Sequence, residues 1–359
     1  MPATTLVLGA NGFIGRWLVR ELLDQGHPVA IGIRAAGRDT ELRHWLHEHG
    51  TPTDALTTVT ADITRPGLGL SPADHERLAE VRDIHNLAAL FRFGLPRAEA
   101  AAANRDGAVH VLRWAAARPT TRRLVHLSGY RVAGHPSPLP PADADRLYRR
   151  LGAYEASKIE GDSAVRALAP ELGVPLSVVS PSTVIGHSVT GEAGQYIGLA
   201  TLVEQLYRGR LPALAGSRRT FVPVVAIDHL ARFLAAVPQH DHGPLHQHTV
   251  LDPDTPELPA LIDLLAEHLD VRTPRLRLPV GLVRRLPRAL TGADPETLSF
   301  LSEDRYDTTS ADRLAAEAGL RHPPVAETLR RWADRLVAEN FGRLPEPTAY
   351  PAGTPKVRT

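Results

Sequence analysis

Glycines 9, 12 and 15, in the run Gly9-Ala10-Asn11-Gly12-Phe13-Ile14-Gly15, constrain what this chain folds into more than any other feature. They follow the apolar segment Thr5-Gly9 and open Phe13-Gln25, where Phe13, Ile14, Trp17, Leu18 and Leu22 recur at helical spacing on one face. A strand that turns through glycine straight into a helix must bend sharply, bring its backbone close to another group, and pack the helix tightly on the strand. A side chain larger than hydrogen obstructs all three. The helix start presents unpaired N–H groups and the positive end of its dipole. That context turns a weak glycine pattern into a site for the pyrophosphate of a dinucleotide, held by Gly9, Asn11, Gly12, Phe13, Ile14 and Gly15.

The first half of the chain continues the alternation. Pro28-Ile33, Ala55-Ala61, Asp83-Ala88, Arg123-Ser128 and Pro175-Ser180 read as strands, Ala98-Ala117 and Ala153-Leu172 as helices, and Gly26 and Gly173 sit where helices end. This pattern predicts an α/β, doubly wound Rossmann fold with helices on both faces of a parallel sheet. After about Gly186 the rhythm changes to loops and prolines; Thr220-Val225 reads as a strand, Ile227 begins a helix, and residues 255–341 read as mostly helical. The expected organisation is a dinucleotide-binding domain of residues 1–186 and about 220–250, a smaller, mostly helical substrate-binding lobe of 187–219 and 251–341, and an exposed tail at 342–359.

Lysine and arginine number 41 against 40 aspartates and glutamates, a net charge of +1 that gives no electrostatic case for nucleic acid or an acidic membrane surface. A small molecule is the expected partner. Cysteine is absent, which removes disulfides and thiolate metal sites. The N-terminal residues lack the pattern of a signal peptide and no apolar stretch is long enough to span a bilayer, so the expected location is cytoplasmic.

The end of the second strand bears on which dinucleotide is bound. An acid there accepts from a ribose 2′-OH, whereas an arginine accommodates a 2′-phosphate. Here Val29-Ala30-Ile31-Gly32-Ile33 runs into Arg34, with Arg38 close behind, and no acid at the strand end. The expectation is NADP(H). Asp39 reads more simply as the cap of the next helix.

Tyr154 and Lys158 stand four residues apart in a helical segment and so share a face. An ammonium beside a phenol favours the phenolate and lowers the phenol's pKa, which makes the tyrosine a proton donor to a carbonyl oxygen that has accepted hydride. Lysine also reaches a ribose hydroxyl better than arginine does. The chain uses arginine almost everywhere and has only two lysines, Lys158 and Lys356, which sharpens the functional reading of this one.

With these features the sequence resembles the extended branch of the short-chain dehydrogenase/reductase superfamily, and more narrowly the group of thioester and fatty acyl reductases. The narrower likeness rests on Ala61-Asp62-Ile63-Thr64-Arg65-Pro66-Gly67-Leu68-Gly69-Leu70-Ser71 and on Ala88-Ala89-Leu90-Phe91 through Leu95-Pro96 to Asn104. Pro181-Ser182-Thr183-Val184-Ile185-Gly186, Thr190-Gly191-Glu192, and Val222-Pro223-Val224 through Asp228 to Leu230-Ala231 add to it, and Tyr306-Asp307-Thr308 extends it weakly. The resemblance implies that Asp62 and Ile63 flank the adenine, that Ala88, Ala89 and Pro181 line the cofactor groove, and that Val184 sits by the carboxamide. It makes Asn104 a support for the active-site helix and a relay water, Tyr154 the general acid, and Lys158 the ligand of the nicotinamide ribose. A homodimer through the helices carrying Asn104 and Tyr154 is also in keeping with it.

Two departures stand out. The family has paired serine or threonine after the fifth strand, but counting back from Gly134 puts Gly129 at the second position, with Ser128 one residue off. The contact to the substrate oxygen then falls to Ser128 after a kink, to Tyr130, to a water, or to the substrate itself. Ser180 stands where the family more often has arginine before the proline.

The reading that results is an NADPH-dependent oxidoreductase acting on a ketone, aldehyde or acyl thioester of a small metabolite. Its competitors are an NAD-dependent nucleotide-sugar epimerase or dehydratase and a non-catalytic NADP(H)-binding protein. The substrate pocket is expected from residues 187–220 and 255–341. His240, His242, His246 and His248 are read as a surface loop running into the next strand, with no metal, because nothing orders them as ligands. Arg218-Arg219 reads equally as a turn or as an anion contact.

Overall fold

A computed structural model describes residues 2–35, 37–90, 94–132, 134–283, 298 and 300–343. Phe91, Ala133, residues 284–297 of the expected helical region and residues 344–359 of the expected tail lie outside these. The strands are β1 Thr5–Leu8, β2 Val29–Ile33, β3 Leu56–Thr60, β4 Asp83–Asn86, β5 Arg123–Leu127, β6 Leu176–Pro181, β7 Thr183–Ile185, β8 Ala213–Ala215, β9 Val224–Ala226, β10 Leu245–Val250 and β11 Leu276–Leu278. The helices are α1 Phe13–Asp24, α2 Thr40–Glu48, α3 Pro72–Arg77, α4 Arg97–Ala101, α5 Gly107–Ala116, α6 Pro141–Leu151, α7 Ala153–Glu171, α8 Leu199–Tyr207, α9 Ile227–His240, α10 Leu258–His268, α11 Val280–Val283, α12 Thr309–Glu317 and α13 Val325–Ala338.

Seven strands form one parallel sheet in the order β10-β6-β5-β4-β1-β2-β3. Successive side chains leave opposite faces of a strand, and here both faces are covered; β1 and β2 accordingly read as nearly unbroken apolar runs, whereas β4 buries the polar Asp83, His85 and Asn86. On one face Val7, Val29, Ile31, Val125 and Val179 pack with Leu18 and Leu22 of α1 and Phe233 and Leu234 of α9. On the other, Leu6, Leu8, Ile84, Leu124 and Val178 meet Val111 and Leu112 of α5 and Val165 of α7. Each fully buried side chain of this size contributes about 1.5–3 kcal/mol relative to exposure. A further apolar cluster joins Val203 and Leu206 of α8, Leu261 and Leu265 of α10, and Leu329 and Trp332 of α13.

The order of the sheet reverses between β1 and β4. Connections leave these neighbours in opposite directions, and a crevice opens beyond their carboxyl ends. The glycine run begins at that point.

Several local expectations are corrected. Asp39 stands at the N-cap of α2 but makes no side-chain cap; its carboxylate accepts from Arg43 Nε at 2.8 Å and Thr58 Oγ1 at 2.7 Å, tying α2 to β3. The segment read as a helix over Ala98-Ala117 is broken by a π turn at Ala102–Asp106 between α4 and α5. The strand expected at Thr220-Val225 is confined to β9, which pairs with β7, while Phe221 makes a lone antiparallel bridge to Ser302. The histidine tract runs from a loop into a strand as read, with His246 and His248 on β10, the edge strand paired to β6, but His240 belongs to the last turn of α9.

Candidate active site

Gly9 leaves β1 at φ +86°, in the left-handed region that favours glycine, and a Cβ there would lie 2.7 Å from Ala88 N and Leu87 C. The exits of β1 and β4 therefore touch backbone to backbone. A Cβ on Gly15 would fall 2.1 Å from Gly9 O, so the close approach of α1 to the loop requires glycine at both ends. Gly12 is the N-cap of α1 and has no side chain to occupy the first-turn amides. Asn11 Nδ2 donates to Arg38 O at 2.7 Å and joins the glycine loop to the loop after β2. The ring of Phe13 turns into the core with Trp17, Ile227 and Ala231, leaving its backbone to the loop, and Ile14 is half-buried.

Arg34 and Arg38 are exposed beyond β2. Asp62, after β3, accepts from Thr64 N at 2.9 Å and Thr64 Oγ1 at 2.7 Å. Partial burial pulls its carboxyl upward, but these bonds and the charges of Arg34 and Arg65 outweigh it and hold Asp62 below the usual range. The sequence showed no acid near Arg34 because Asp62 arrives from the neighbouring strand. The Ile63 side chain packs on Gly107, where a Cβ would lie 2.9 Å from it, and its carbonyl accepts from His110 Nδ1 at 2.9 Å. Ala88 and Ala89 lie past the end of β4, one half-buried and the other exposed, rather than in strand core.

Helix α7 carries Tyr154, Lys158, Asp162 and Arg166 four residues apart, hence on one face. Lys158 is 7% exposed and its Nζ donates to Leu127 O, at the carboxyl end of β5, at 2.8 Å. Burial holds its ammonium down to about 8, with Asp162 opposing the shift. The expected lowering of the tyrosine is corrected: burial first, and Glu155 second, push the Tyr154 phenol upward. Desolvation of the phenolate outweighs any help from the neighbouring ammonium.

Asn104 sits in the π turn, buried. Its Oδ1 accepts from Leu90 N at 2.8 Å, and its Nδ2 donates to Leu90 O at 3.3 Å and Ser157 Oγ at 2.9 Å. Ser157 Oγ in turn donates to Tyr154 O at 2.9 Å. A Cβ on Gly161 would lie 2.3 Å from Asn104 O, so α7 and the π turn meet through glycine. Asn104 thus joins the β4 loop to the helix of Tyr154. Ser157 was not legible in the sequence, since only the packing of α7 on the π turn selects it.

Ser128 does not kink toward the groove. Its N–H bonds Val179 O at 2.8 Å, continuing the ladder, and its buried hydroxyl faces Asp162. Tyr130 is also buried. Its N–H donates to Pro181 O at 3.1 Å, its hydroxyl lies beside Thr183, and its ring meets Tyr306 edge to face at 5.0 Å. A Cβ on Gly129 would meet only Val132 Cγ2, at an ordinary 3.6 Å. Val184, on β7, is half-buried, and Ser180 and Pro181 end β6 in the core.

A switch-point crevice, three glycines requiring close backbone approach, and a face of α7 that carries half-buried Tyr154 and buried Lys158 at the same sheet edge define an NAD(P)-binding domain of extended short-chain dehydrogenase/reductase type. The chain belongs to the NAD-binding family described as male sterility protein, which matches residues 7–234. It is 28% identical over 252 residues to a glycine betaine reductase of Emericella nidulans, a match covering 64% of this chain and 20% of that protein. It is 27% identical over 197 residues to a dihydroflavonol 4-reductase of Callistephus chinensis, covering 52% of each. The matches thus span a fifth to about half the length of these relatives. The terminal R domain of the myxalamid PKS-NRPS pathway shares the fold, with a TM-score of 0.75 at 21% identity over 96% of this chain and 93% of that one. Among the described residues no helix is long and apolar enough to cross a membrane.

Proposed function

We propose that this chain is an NADPH-dependent reductase of a small ketone, aldehyde or acyl thioester. The observation that carries the reading is Lys158 Nζ anchored on Leu127 O, which places the Tyr154 face of α7 at the same sheet edge as the glycine loop. When bound, the reduced nicotinamide supplies hydride to the carbonyl carbon. Tyr154 donates the proton to the carbonyl oxygen, Lys158 binds the ribose, and Asn104 positions their helix. The names of the reductase relatives support the same direction of chemistry.

Ser128 faces Asp162, so the hydrogen bond to the substrate oxygen is assigned to Tyr130, whose hydroxyl is buried next to the strand that carries Val184. Consumption of NADPH against a panel of aldehydes, ketones and acyl thioesters tests the proposal. Substrate-dependent oxidation is the expected result, and binding of NADPH without turnover of any member would overturn it.

Arg34 and Arg38 are the groups for the 2′-phosphate. Arg34 already balances Asp62, and Asn11 fixes the backbone of Arg38. Arg34→Ser is expected to weaken NADPH binding by about 10–100-fold, the loss of one charge-assisted phosphate contact of about 1.5–3 kcal/mol, while NADH binding changes little. Equal loss for both cofactors would remove Arg34 from this role.

A further inference from the structure

We propose that Asp241, His246 and His248 form a Zn²⁺ site on the edge strand of the sheet, apart from the dinucleotide crevice. His246 and His248 are two residues apart on β10 and therefore on one face. Their rings are parallel within 4°, with centroids 6.1 Å apart. Both point at one carboxylate. His248 Nε2 lies 2.9 Å from Asp241 Oδ2 and His246 Nδ1 lies 3.6 Å from Asp241 Oδ1. One ligand atom from each of the three residues falls within 4.8 Å of the others. Tetrahedral zinc, with bonds of about 2.0–2.2 Å to nitrogen and oxygen, needs separations of roughly 3.4 Å, so small side-chain shifts close the site.

The far side of each ring supports the same assignment. His246 Nε2 donates to the His242 carbonyl, which can only accept. In the neutral ring this leaves Nδ1 as a bare lone pair opposite Asp241 Oδ1, two electron-rich atoms that a cation between them would satisfy. His248 Nε2 donates to Asp241 Oδ2 at 2.9 Å and its Nδ1 accepts from Ser310 Oγ at 3.0 Å; because that hydroxyl accepts as readily as it donates, moving the ring proton to Nδ1 keeps the Ser310 bond and frees Nε2 for the metal. Metal-ligating histidines ordinarily have their second nitrogen held in this way. Asp241 is itself oriented by Ser177 Oγ at 2.5 Å. Asp241 and His248 are buried and His246 half-buried.

A cavity of about 490 Å³ lies beside the site, lined by Asp241, His242, Gly243 and Arg123 among others. Imidazole and carboxylate without thiolate suit Zn²⁺ among the abundant divalent ions. Arg123, which donates to the same Ser177 Oγ at 3.1 Å, places a positive charge nearby, and a single carboxylate balances the ion, both of which moderate the affinity.

The test uses the full chain, stripped with a chelator and titrated with Zn²⁺ against a competing zinc dye, with Co²⁺ as a spectroscopic substitute. Saturable one-to-one binding and the intense visible absorption of tetrahedral Co²⁺ are expected. His246→Ala, at a half-buried position, should weaken binding at least ~10-fold, and Ser310→Ala should weaken it by about 10-fold. His240→Ala and His242→Ala should leave it unchanged, because only the His242 carbonyl is used. No saturable binding, or binding abolished by His240→Ala or His242→Ala but retained in His246→Ala, would overturn the site. NADPH affinity, measured in the same variants, is expected to be unaltered.

Discussion

Tyr154→Phe is expected to lower kcat for carbonyl reduction by about 10²–10⁴-fold while leaving NADPH affinity within a factor of about two. The phenyl ring keeps the volume of the side chain, so the packing of α7 on the π turn at Asn104 is preserved and only the hydroxyl is lost. Burial and Glu155 push the phenol upward, which keeps its proton in place across the working pH range. The raised pKa keeps the proton on the phenol but weakens it as an acid, so the transfer is driven by the alkoxide that hydride addition creates, a stronger base than the phenolate. Single-turnover oxidation of NADPH measures the chemical step, and quenching of protein fluorescence measures binding. A fall in rate of less than about tenfold would show that the proton comes from another group.

The second large effect couples activity to stability with opposite signs. Lys158→Met is expected to abolish most turnover and yet stabilise the fold near neutral pH. Lys158 is 7% exposed, and burial lowers its folded pKa to about 8 from 10.5. The unfolded chain therefore binds more protons than the folded one between about pH 8 and 10.5, and stability rises with pH across that window. Below pH 8 the full penalty is present, about 3 kcal/mol at 1.36 kcal/mol per unit. Methionine removes that penalty and loses the bond to Leu127 O, worth about 1 kcal/mol. The variant should then be more stable than the wild type by about 2 kcal/mol at pH 7 and lose that advantage by pH 10.5. Denaturant unfolding at the two pH values checks the sign; an identical pH dependence in both proteins would contradict it.

Much of the frame was legible. The six leading strands and the helices Phe13–Asp24 and Ala153–Glu171 fall within a residue or two of the positions read from hydrophobic period and glycine punctuation. These signals are local, which is why they survive without tertiary information. The interruption at Ala102–Asp106 was not legible, because helical spacing tolerates one π turn without changing its pattern. Asp39 looked like a cap because its position was right, while its partners, Arg43 and Thr58, depend on α2 lying against β3. The histidine tract looked unordered because its composition resembles a loop and one register of pairing to β6 is enough to order half of it.

The sequence by itself determined the strand–glycine–helix unit at Gly9, Gly12 and Gly15, the parallel α/β frame, and the shared helical face of Tyr154 and Lys158. Steric rules and residue spacing act over a few residues, so no partner is needed to read them. The tertiary structure decided the direction of the Tyr154 shift, the turning of Ser128 toward Asp162, the approach of Asp62 to Arg34, and the convergence of His246 and His248 on Asp241. Each of these depends on burial or on a charge carried by another element, and desolvation and Coulomb energies are set by where the folded chain puts those groups.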